Sequence, residues 1–228
     1  MKYLFALSGG LVAASAANAE VVLDNFTGGV LDVSVRDAAG TTASVSSTSP
    51  DILGGQRDTS YEIVSNDLLG ALSLFVNIGV PEEFSAFSLE MGPGNASTVS
   101  LGYDGGGSGL DFDANGDSIE SLRLDFFTID LPVDVVVELT DGNGTVSSIS
   151  RDLPASDGLT SFFALAQFEA ASPGFDRAEI DGVEITFNTE GEEDIDLALD
   201  TLTFDTVVPA PGTLALLGLG GLIAIRRR

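Results

Sequence analysis

The sequence predicts an all-β fold, a jelly-roll-like antiparallel β-sandwich, from two observations. First, about a dozen short segments alternate apolar and polar residues with a period of two, as strands with one buried face do. Second, turn-forming residues separate these segments, most clearly the Asp141-Gly142-Asn143-Gly144 tetrad, which predicts a hairpin. An immunoglobulin-type sandwich needs fewer strands, and its Cys and Trp hallmarks are absent because the chain has neither residue. No segment of the body predicts a helix.

The alternating segments place the strands in order along the chain. Residues 37–50 are rich in Ala, Thr, Ser and Gly, and they predict a loop. Arg57 follows a Gly-Gly bend at the start of a strand, where we expect it to tie two strands or a loop through carboxylates or carbonyls. A ligand-binding role for Arg57 is the alternative. The predicted strands are 21–26, 30–36, one with Tyr61, Ile63 and Val64, then 72–78, 85–91, 97–103, 118–127, 133–139, 146–151, 160–168, 178–187 and 197–204.

The N-terminus has the pattern of a secretory signal peptide. Lys2 supplies the positive charge, an apolar run follows, and Ala17-Asn18-Ala19 forms an A-x-A cleavage site with Ala17 and Ala19 as its small residues. We therefore predict a signal peptide at residues 1–19 and a β-sandwich domain at residues 20–208.

The last twenty residues, 209–228, combine three features. Pro209-Ala210-Pro211 precedes an uncharged apolar run, and the chain ends in Arg226, Arg227 and Arg228. The run is shorter than the ~20 residues of a comfortable membrane span. Arginines after such a run stay on the cytoplasmic side, which places the rest of the chain outside. A C-terminal core helix is the alternative, but such a helix would show a polar face and this run has none.

Together the three features resemble the PEP-CTERM sorting signal of Gram-negative bacteria, although Ala210 stands where that family usually has Glu. The resemblance implies a sorting motif of Pro209, Pro211 and Arg226 to Arg228. It also implies a short C-terminal transmembrane helix that anchors the chain until an exosortase-like membrane protease processes it. The destination would be the cell surface or the extracellular matrix.

The body resembles a domain that PEP-CTERM proteins often carry. The resemblance lies in short segments and covers most of residues 21–205. Proteins of this kind mostly have no assigned activity, so the resemblance bears on architecture and location. The segments that carry it are Leu23-Asp24-Asn25-Phe26, Leu53-Gly54-Gly55-Gln56-Arg57-Asp58, Tyr103-Asp104-Gly105 and Asp196-Leu197-Ala198-Leu199-Asp200.

Composition excludes several classes of function. Of the nine basic residues, Lys2 and Arg226 to Arg228 lie in the two signals, so the body carries 5 − 35 = −30. Such a charge repels nucleic-acid phosphates and anionic lipid surfaces. The chain has no His and no Cys, which removes the commonest general base, the usual zinc ligands and any disulfide. We therefore expect no enzymatic activity and no nucleic-acid partner.

One stretch has the oxygen-rich spacing of a calcium loop. Asp111, Asp113, Asn115 and Asp117 alternate their oxygens, and Gly116 permits a sharp bend. An EF-hand is excluded because its twelfth position requires Glu and is Leu122 here. A looser Ca²⁺ loop therefore competes with a polar hairpin turn at Asn115-Gly116. The acidic residues 190–200 resemble the calcium-holding end of jelly-roll carbohydrate-binding modules, with a solvated acidic loop as the alternative.

Two functions follow from these features. The first is an exported structural or adhesive protein of the cell surface or exopolysaccharide matrix, sorted through its C-terminal signal. The second is a Ca²⁺-stabilised carbohydrate-binding module, although the body has only Tyr61 and Tyr103 for stacking on sugars. A glycan-active hydrolase has no positive signal, because any pair among 35 acids can be chosen.

Overall fold

The structure is a computed structural model that describes residues 20–66, 74–79 and 85–206. The predicted signal peptide and sorting tail, with Ala17, Ala19, Pro209, Pro211 and Arg226 to Arg228, lie outside these ranges and remain predictions. Within the ranges, no helix has the length and apolarity to cross a membrane.

The described chain forms thirteen strands and one short helix. They are β1 (Glu20–Asp24), β2 (Leu31–Val35), β3 (Thr42–Thr48), β4 (Gln56–Asn66), β5 (Leu74–Ile78), β6 (Phe87–Met91), β7 (Asn95–Tyr103), β8 (Ser121–Ile129), β9 (Val133–Asp141), β10 (Val146–Leu153), β11 (Ser156–Ala164), α1 (Leu165–Ala171), β12 (Ile180–Phe187) and β13 (Asp196–Asp205).

The strands form two antiparallel sheets. The seven-stranded sheet has the order β11-β8-β13-β6-β5-β2, and β1 also pairs with β13. β8 runs along one side of β13, while β6 and β1 share its other side end to end. The six-stranded sheet has the order β10-β9-β12-β7-β4-β3. The segments β11-β8-β13-β6 and β10-β9-β12-β7 together have the strand order of an eight-stranded jelly roll.

One apolar core lies between the sheets, which confirms the predicted sandwich. Val135, Val137 and Leu139 point inward from β9 and are fully buried, as the alternation in sequence predicts. Rings from both sheets meet in this core. Phe87 of β6 stacks on Phe187 of β12 with 5.5 Å between ring centroids, and Phe126 of β8 meets the same ring edge-on.

Two sequence predictions about secondary structure are wrong. Residues 42–48 form β3 rather than a loop, because an edge strand needs little apolar surface and only Ser47 is buried in this one. Residues 165–171 form α1, although residues 160–168 are predicted as a strand and no helix is predicted. Leu165 and Phe168 face inward from one side of this helix of about two turns, so burial of two side chains decides the local structure.

The predicted role of Arg57 is confirmed. Its guanidinium is fully buried, with Nη1 2.5 Å from Asp24 Oδ2 and Nη2 donating to the Gly29 carbonyl oxygen at 2.6 Å. Tyr103 donates its hydroxyl to Asp24 Oδ2 at 3.1 Å, and burial followed by the charge of Asp24 raises the pKa of Tyr103 well above its usual value. This buried cluster therefore ties β1 and the following turn, from one sheet, to β4 and β7 of the other.

The predicted hairpin at residues 141–144 is also confirmed. β9 and β10 pair on either side of it, and Gly144 has a positive φ of 78°. Asp141 is buried, and its carboxylate accepts the backbone N–H groups of Asn143, Thr145 and Asp176 at 2.8–3.0 Å. Burial opposes its ionisation, but these bonds outweigh that effect and hold the pKa of Asp141 below its usual range.

Candidate functional site

The candidate site is the outer face of the six-stranded sheet, called the polar face from here on. Because side chains alternate along a strand, the residues between the buried positions of β9, β12, β7 and β4 point away from the core. Strand register then sets these outward residues side by side in rows across the sheet. Two of these rows are made of small hydroxyls, carboxylates, one glycine and one valine.

The first row carries three carboxylates. Its register runs from Ser46 to Asp58, Gly102, Glu184, Glu138 and Ser148, from β3 to β10. A depression of about 260 Å³ opens over it, and Asp104 and Thr140 also line it. The carboxylates therefore surround a space where a ligand can approach the sheet.

The second row lies two residues along each strand from the first and is rich in hydroxyls. Its register joins Ser44, Ser60, Ser100, Thr186 and Val136. The hydroxyl oxygens of Ser100 and Thr186 are 2.8 Å apart and bond each other. Each hydroxyl can both donate and accept, so this row offers a ligand donors that the carboxylate row does not have.

A second depression, of about 440 Å³, continues the polar face over β3, β4 and β7. Tyr61 lines it beside Ser60 and Ser100, while also packing partly against the core. Burial, with a smaller contribution from the charge of Asp37, raises the pKa of Tyr61. Tyr61 is the cross-strand partner of the buried Val99, so its side chain lies on the core side of the sheet, and Tyr103 is buried in the Arg57 cluster.

Gly102 forms the floor of the first depression. A Cβ placed there would lie 3.7 Å from the Asp58 carbonyl oxygen and 3.9 Å from Asp58 Cβ, which is ordinary contact. Neither packing nor backbone conformation therefore requires glycine at this position. A glycine inside a strand weakens the strand, and such a position often marks close approach by a ligand or another backbone.

The carboxylates of the row differ in what they bond. Gln56 Nε2 donates to Asp58 Oδ1 at 3.0 Å, which fixes that carboxylate. Glu138 and Glu184 are direct cross-strand partners, and neither carboxylate accepts a hydrogen bond or ion pair from residues 20–66, 74–79 or 85–206. Like charges directly opposite each other destabilise a sheet. Fold stability therefore does not explain this pair.

The predicted calcium residues lie elsewhere, in the exposed loop before β8. Asp113 Oδ1 accepts the Gly116 N–H at 2.9 Å, and Asn115 Oδ1 accepts from Arg177 Nε at 2.6 Å. The three aspartates, Asp111, Asp113 and Asp117, do not form a group that could hold a metal ion, and the described residues contain no such group. As arranged, the loop does not fit a Ca²⁺ ion, and the calcium site stays a prediction.

Two acidic residues, Asp194 just before β13 and Asp196 at its start, hold neighbouring backbone in place. Asp194 Oδ1 accepts the Gly94 N–H at 2.5 Å, and Asp196 Oδ1 accepts the Met91 N–H at 3.0 Å. Glu190, Glu192 and neighbouring apolar residues line a depression of about 380 Å³ at the start of β9. These contacts agree with the solvated acidic loop that is the alternative to a calcium site for this stretch.

No family model and no curated protein matches this chain. Among solved structures, it is similar to the family 11 carbohydrate-binding module of a cellulosomal cellulase of Clostridium thermocellum, at 16% identity and TM-score 0.40, over 82% of this chain and 95% of that one. It is similar to a mutant carbohydrate-binding module of family 29, at 13% and 0.38, over 83% and 92%. It is also similar to an agarase, at 9% and 0.43, over 65% of this chain and 23% of that one. At these TM-scores the likenesses bear neither on the ligand nor on the activity of this chain.

Proposed function

We propose that this protein is a non-catalytic glycan-binding module that holds a neutral polysaccharide on its polar face. The observation that carries the proposal is the pair Glu138 and Glu184 beside the glycine floor at Gly102. Both features weaken the sheet, and a ligand that donates hydrogen bonds would compensate for both. Sugar hydroxyls are such donors, and hydrogen bonds to a carboxylate are about twice as strong as neutral ones.

The charge of the polar face selects among glycans. The outward positions of its described strands carry carboxylates at Asp58, Glu62, Asp134, Glu138, Asp152 and Glu184 and no basic residue. A polyuronate or sulfated polysaccharide would be repelled by this row. The extended face, with depressions over β3 to β12, suits a chain of neutral sugars better than a single small sugar.

The site also supports the non-catalytic part of the proposal. Glycoside hydrolysis needs one carboxylic acid held protonated beside a second, ionised carboxylate, usually through burial of the first. Glu184 is exposed, and Glu138 and Asp58 are only partly buried. None of the three is buried as such an acid would be.

Export and sorting remain part of the proposal and rest on the sequence. Residues 1–19 would direct the chain out of the cytoplasm, and residues 209–228 would hold it in the membrane for an exosortase-like protease. A glycan-binding body delivered in this way would act at the cell surface or in the exopolysaccharide matrix. Fractionation of the producing cells tests this part, and a full-length cytoplasmic pool would contradict it.

Affinity electrophoresis tests the glycan proposal. We expect gels that contain neutral glucans or galactans to retard the purified protein, while gels with a polyuronate do not. Gly102→Leu should remove the retardation, whereas Ala198→Leu, an outward position on the seven-stranded sheet, should leave it unchanged. Equal mobility in every neutral polysaccharide gel would contradict the proposal.

Calcium is tested separately by calorimetry. If Ca²⁺ occupies Asp111, Asp113, Asn115 and Asp117, the melting temperature should rise with CaCl₂ and fall with EDTA. Equal melting temperatures under both conditions would remove the calcium site without affecting the glycan proposal.

A further inference from the structure

The edge strand β3 is unlike the other edge strands of the two sheets. The ten residues from Thr41 to Pro50 carry no charge, although the chain has 44 charged residues, 9 basic and 35 acidic. β2 and β11 end the seven-stranded sheet and carry Asp32 and Asp157 respectively. β10 carries Arg151 and Asp152 and is also covered by α1, where Ser147 Oγ donates to the Phe168 carbonyl oxygen at 2.7 Å.

Natural sheets protect their edges with charges, bulges or covering elements because an open edge pairs with other chains. β3 has none of these protections among the described residues, and it pairs with β4 in unbroken register from Thr42 to Thr48. Val45 is 37% exposed at its centre. An unprotected edge in an otherwise protected fold indicates that the edge has a partner.

The backbone groups of β3 show how that partner would bind. Ile63 N–H donates to the Thr41 carbonyl oxygen at 2.9 Å, and Ser49 N–H donates to the Gly55 carbonyl oxygen at 3.1 Å. Because hydrogen-bonding residues alternate along an antiparallel pair, the odd-numbered residues of β3 bond β4. The N–H and C=O groups that point outward therefore belong to Thr42, Ser44, Ser46 and Thr48.

We propose that two copies of this chain pair through their β3 strands, antiparallel, about a two-fold axis at Val45. In this register Thr42 lies opposite Thr48 and Ser44 lies opposite Ser46. All four outward-bonding residues of each strand then find partners, which gives about eight hydrogen bonds between the chains. A register shifted by two residues would leave some of these groups without partners.

Charge explains why this edge accepts a second copy. A chain of net charge −26 repels its own kind, so a contact between copies needs an uncharged meeting surface. The nearest carboxylates on the polar face, Asp58 of one copy and Asp58 or Glu62 of the other, would be at least three strand spacings apart, or about 14 Å. That distance exceeds the Debye length of about 8 Å at physiological ionic strength, so their repulsion is largely screened.

The pairing also has a consequence for glycan binding, and this consequence alone rests on the proposed function. A two-fold axis perpendicular to the sheet puts both polar faces on the same side. The two six-stranded sheets would become one continuous sheet, with a doubled row of hydroxyls and carboxylates for a long glycan.

Sedimentation analysis of the full chain over a range of concentrations tests the interface without any glycan. We expect a monomer–dimer equilibrium. The double variant Ser44→Glu/Ser46→Glu puts like charges opposite each other twice and should weaken the dimer by about 30-fold. Ser44→Glu/Ser46→Lys puts opposite charges there and should retain it. Ser34→Glu, on the edge strand β2, adds charge away from the interface and should change nothing.

Circular dichroism and melting curves establish that each variant folds before it is sedimented. A wild-type chain that stays monomeric at every concentration would overturn the proposal, and so would a dimer that the Glu/Glu variant leaves intact. A Glu/Lys variant as weak as the Glu/Glu variant would overturn the register. A dimer in a protein that binds no glycan would overturn the proposed function and leave the interface standing.

Discussion

The carboxylates on the outer faces of the two sheets differ in their bonding partners. On the seven-stranded sheet, Arg123 forms ion pairs with Glu20, Asp125 and Asp205, and Asp125 also accepts the hydroxyls of Thr160 and Thr201. Partial burial lowers the pKa of Arg123, but its bonds to Asp125 and Glu20 outweigh this and raise it. On the polar face, Glu138 and Glu184 lie opposite each other without such partners among the described residues.

The difference shows which acids of a strongly acidic chain have a structural role. A carboxylate that accepts several protein donors contributes to the fold, and its lone pairs are occupied. A carboxylate that faces another carboxylate costs stability and keeps its lone pairs free. Substitutions in the buried clusters and on the two faces test this distinction.

Arg57→Ala should give the largest loss of stability, about 3–5 kcal/mol, because Asp24 would be left as a buried charge without its partner. Denaturant unfolding measures the loss. Arg123→Ala is the matched control, since its side chain is 20% exposed and its partners Glu20 and Asp125 are 45% and 24% exposed, and it should cost about 1 kcal/mol. Equal losses of unfolding free energy for the two variants would contradict the distinction between buried and partly exposed ion pairs.

Asp141→Ala should cost about 3 kcal/mol at neutral pH, because three backbone N–H groups lose a charged acceptor. The lowered pKa of Asp141 means that this contribution is present above the usual aspartate value and is lost as pH falls through the lowered one. The stability gap between wild type and Asp141→Asn should therefore close in strong acid. A gap independent of pH would show that the charge of Asp141 contributes nothing.

Gly102→Leu should weaken binding of a neutral glycan by about 30-fold, the equivalent of one lost charge-assisted hydrogen bond. The fold has room for a side chain here, so the melting temperature should barely change. Titration calorimetry and a melting curve on the same sample separate the two effects. Loss of the fold in this variant would mean that the glycine serves the sheet.

Removal of one carboxylate should change the free energy of unfolding in opposite directions on the two faces. Glu184→Gln relieves a like-charge pair and should raise the free energy of unfolding by about 0.5 kcal/mol. Asp125→Asn removes the charged acceptor of Arg123, Thr160 and Thr201 and should lower it by about 1 kcal/mol. Unfolding curves that move in the same direction for both variants would contradict the difference in carboxylate roles between the two faces.

The sequence was sufficient for most of the fold, because burial on one side of a strand leaves a period of two. It predicted the sandwich, the hairpin at Asp141 and the tying role of Arg57. It failed at β3, whose serines and threonines satisfy edge hydrogen bonds without a hydrophobic pattern. It failed also at α1, where two buried side chains outweigh weak helix signals and no side chain caps the first turn.

The polar face was missed because it depends on register between distant strands. Glu138, Glu184 and Asp58 are far apart in sequence and meet only when β9, β12, β7 and β4 align. One local signal was available, namely Gly102 inside a strand that also alternates Thr98 and Ser100. The sequence instead pointed to Asp111–Asp117, where oxygens are close along the chain but not grouped in space.

The position of β13 in the chain sets when this protein can fold. It is the central strand of its sheet and pairs with β8, β6 and β1, yet the ribosome makes it last of the thirteen. β1 must wait until residue 205 has been synthesised before Glu20 can find its partner. The domain cannot complete its sheet before β13 has been made, so the growing chain stays incompletely folded until its final strand appears.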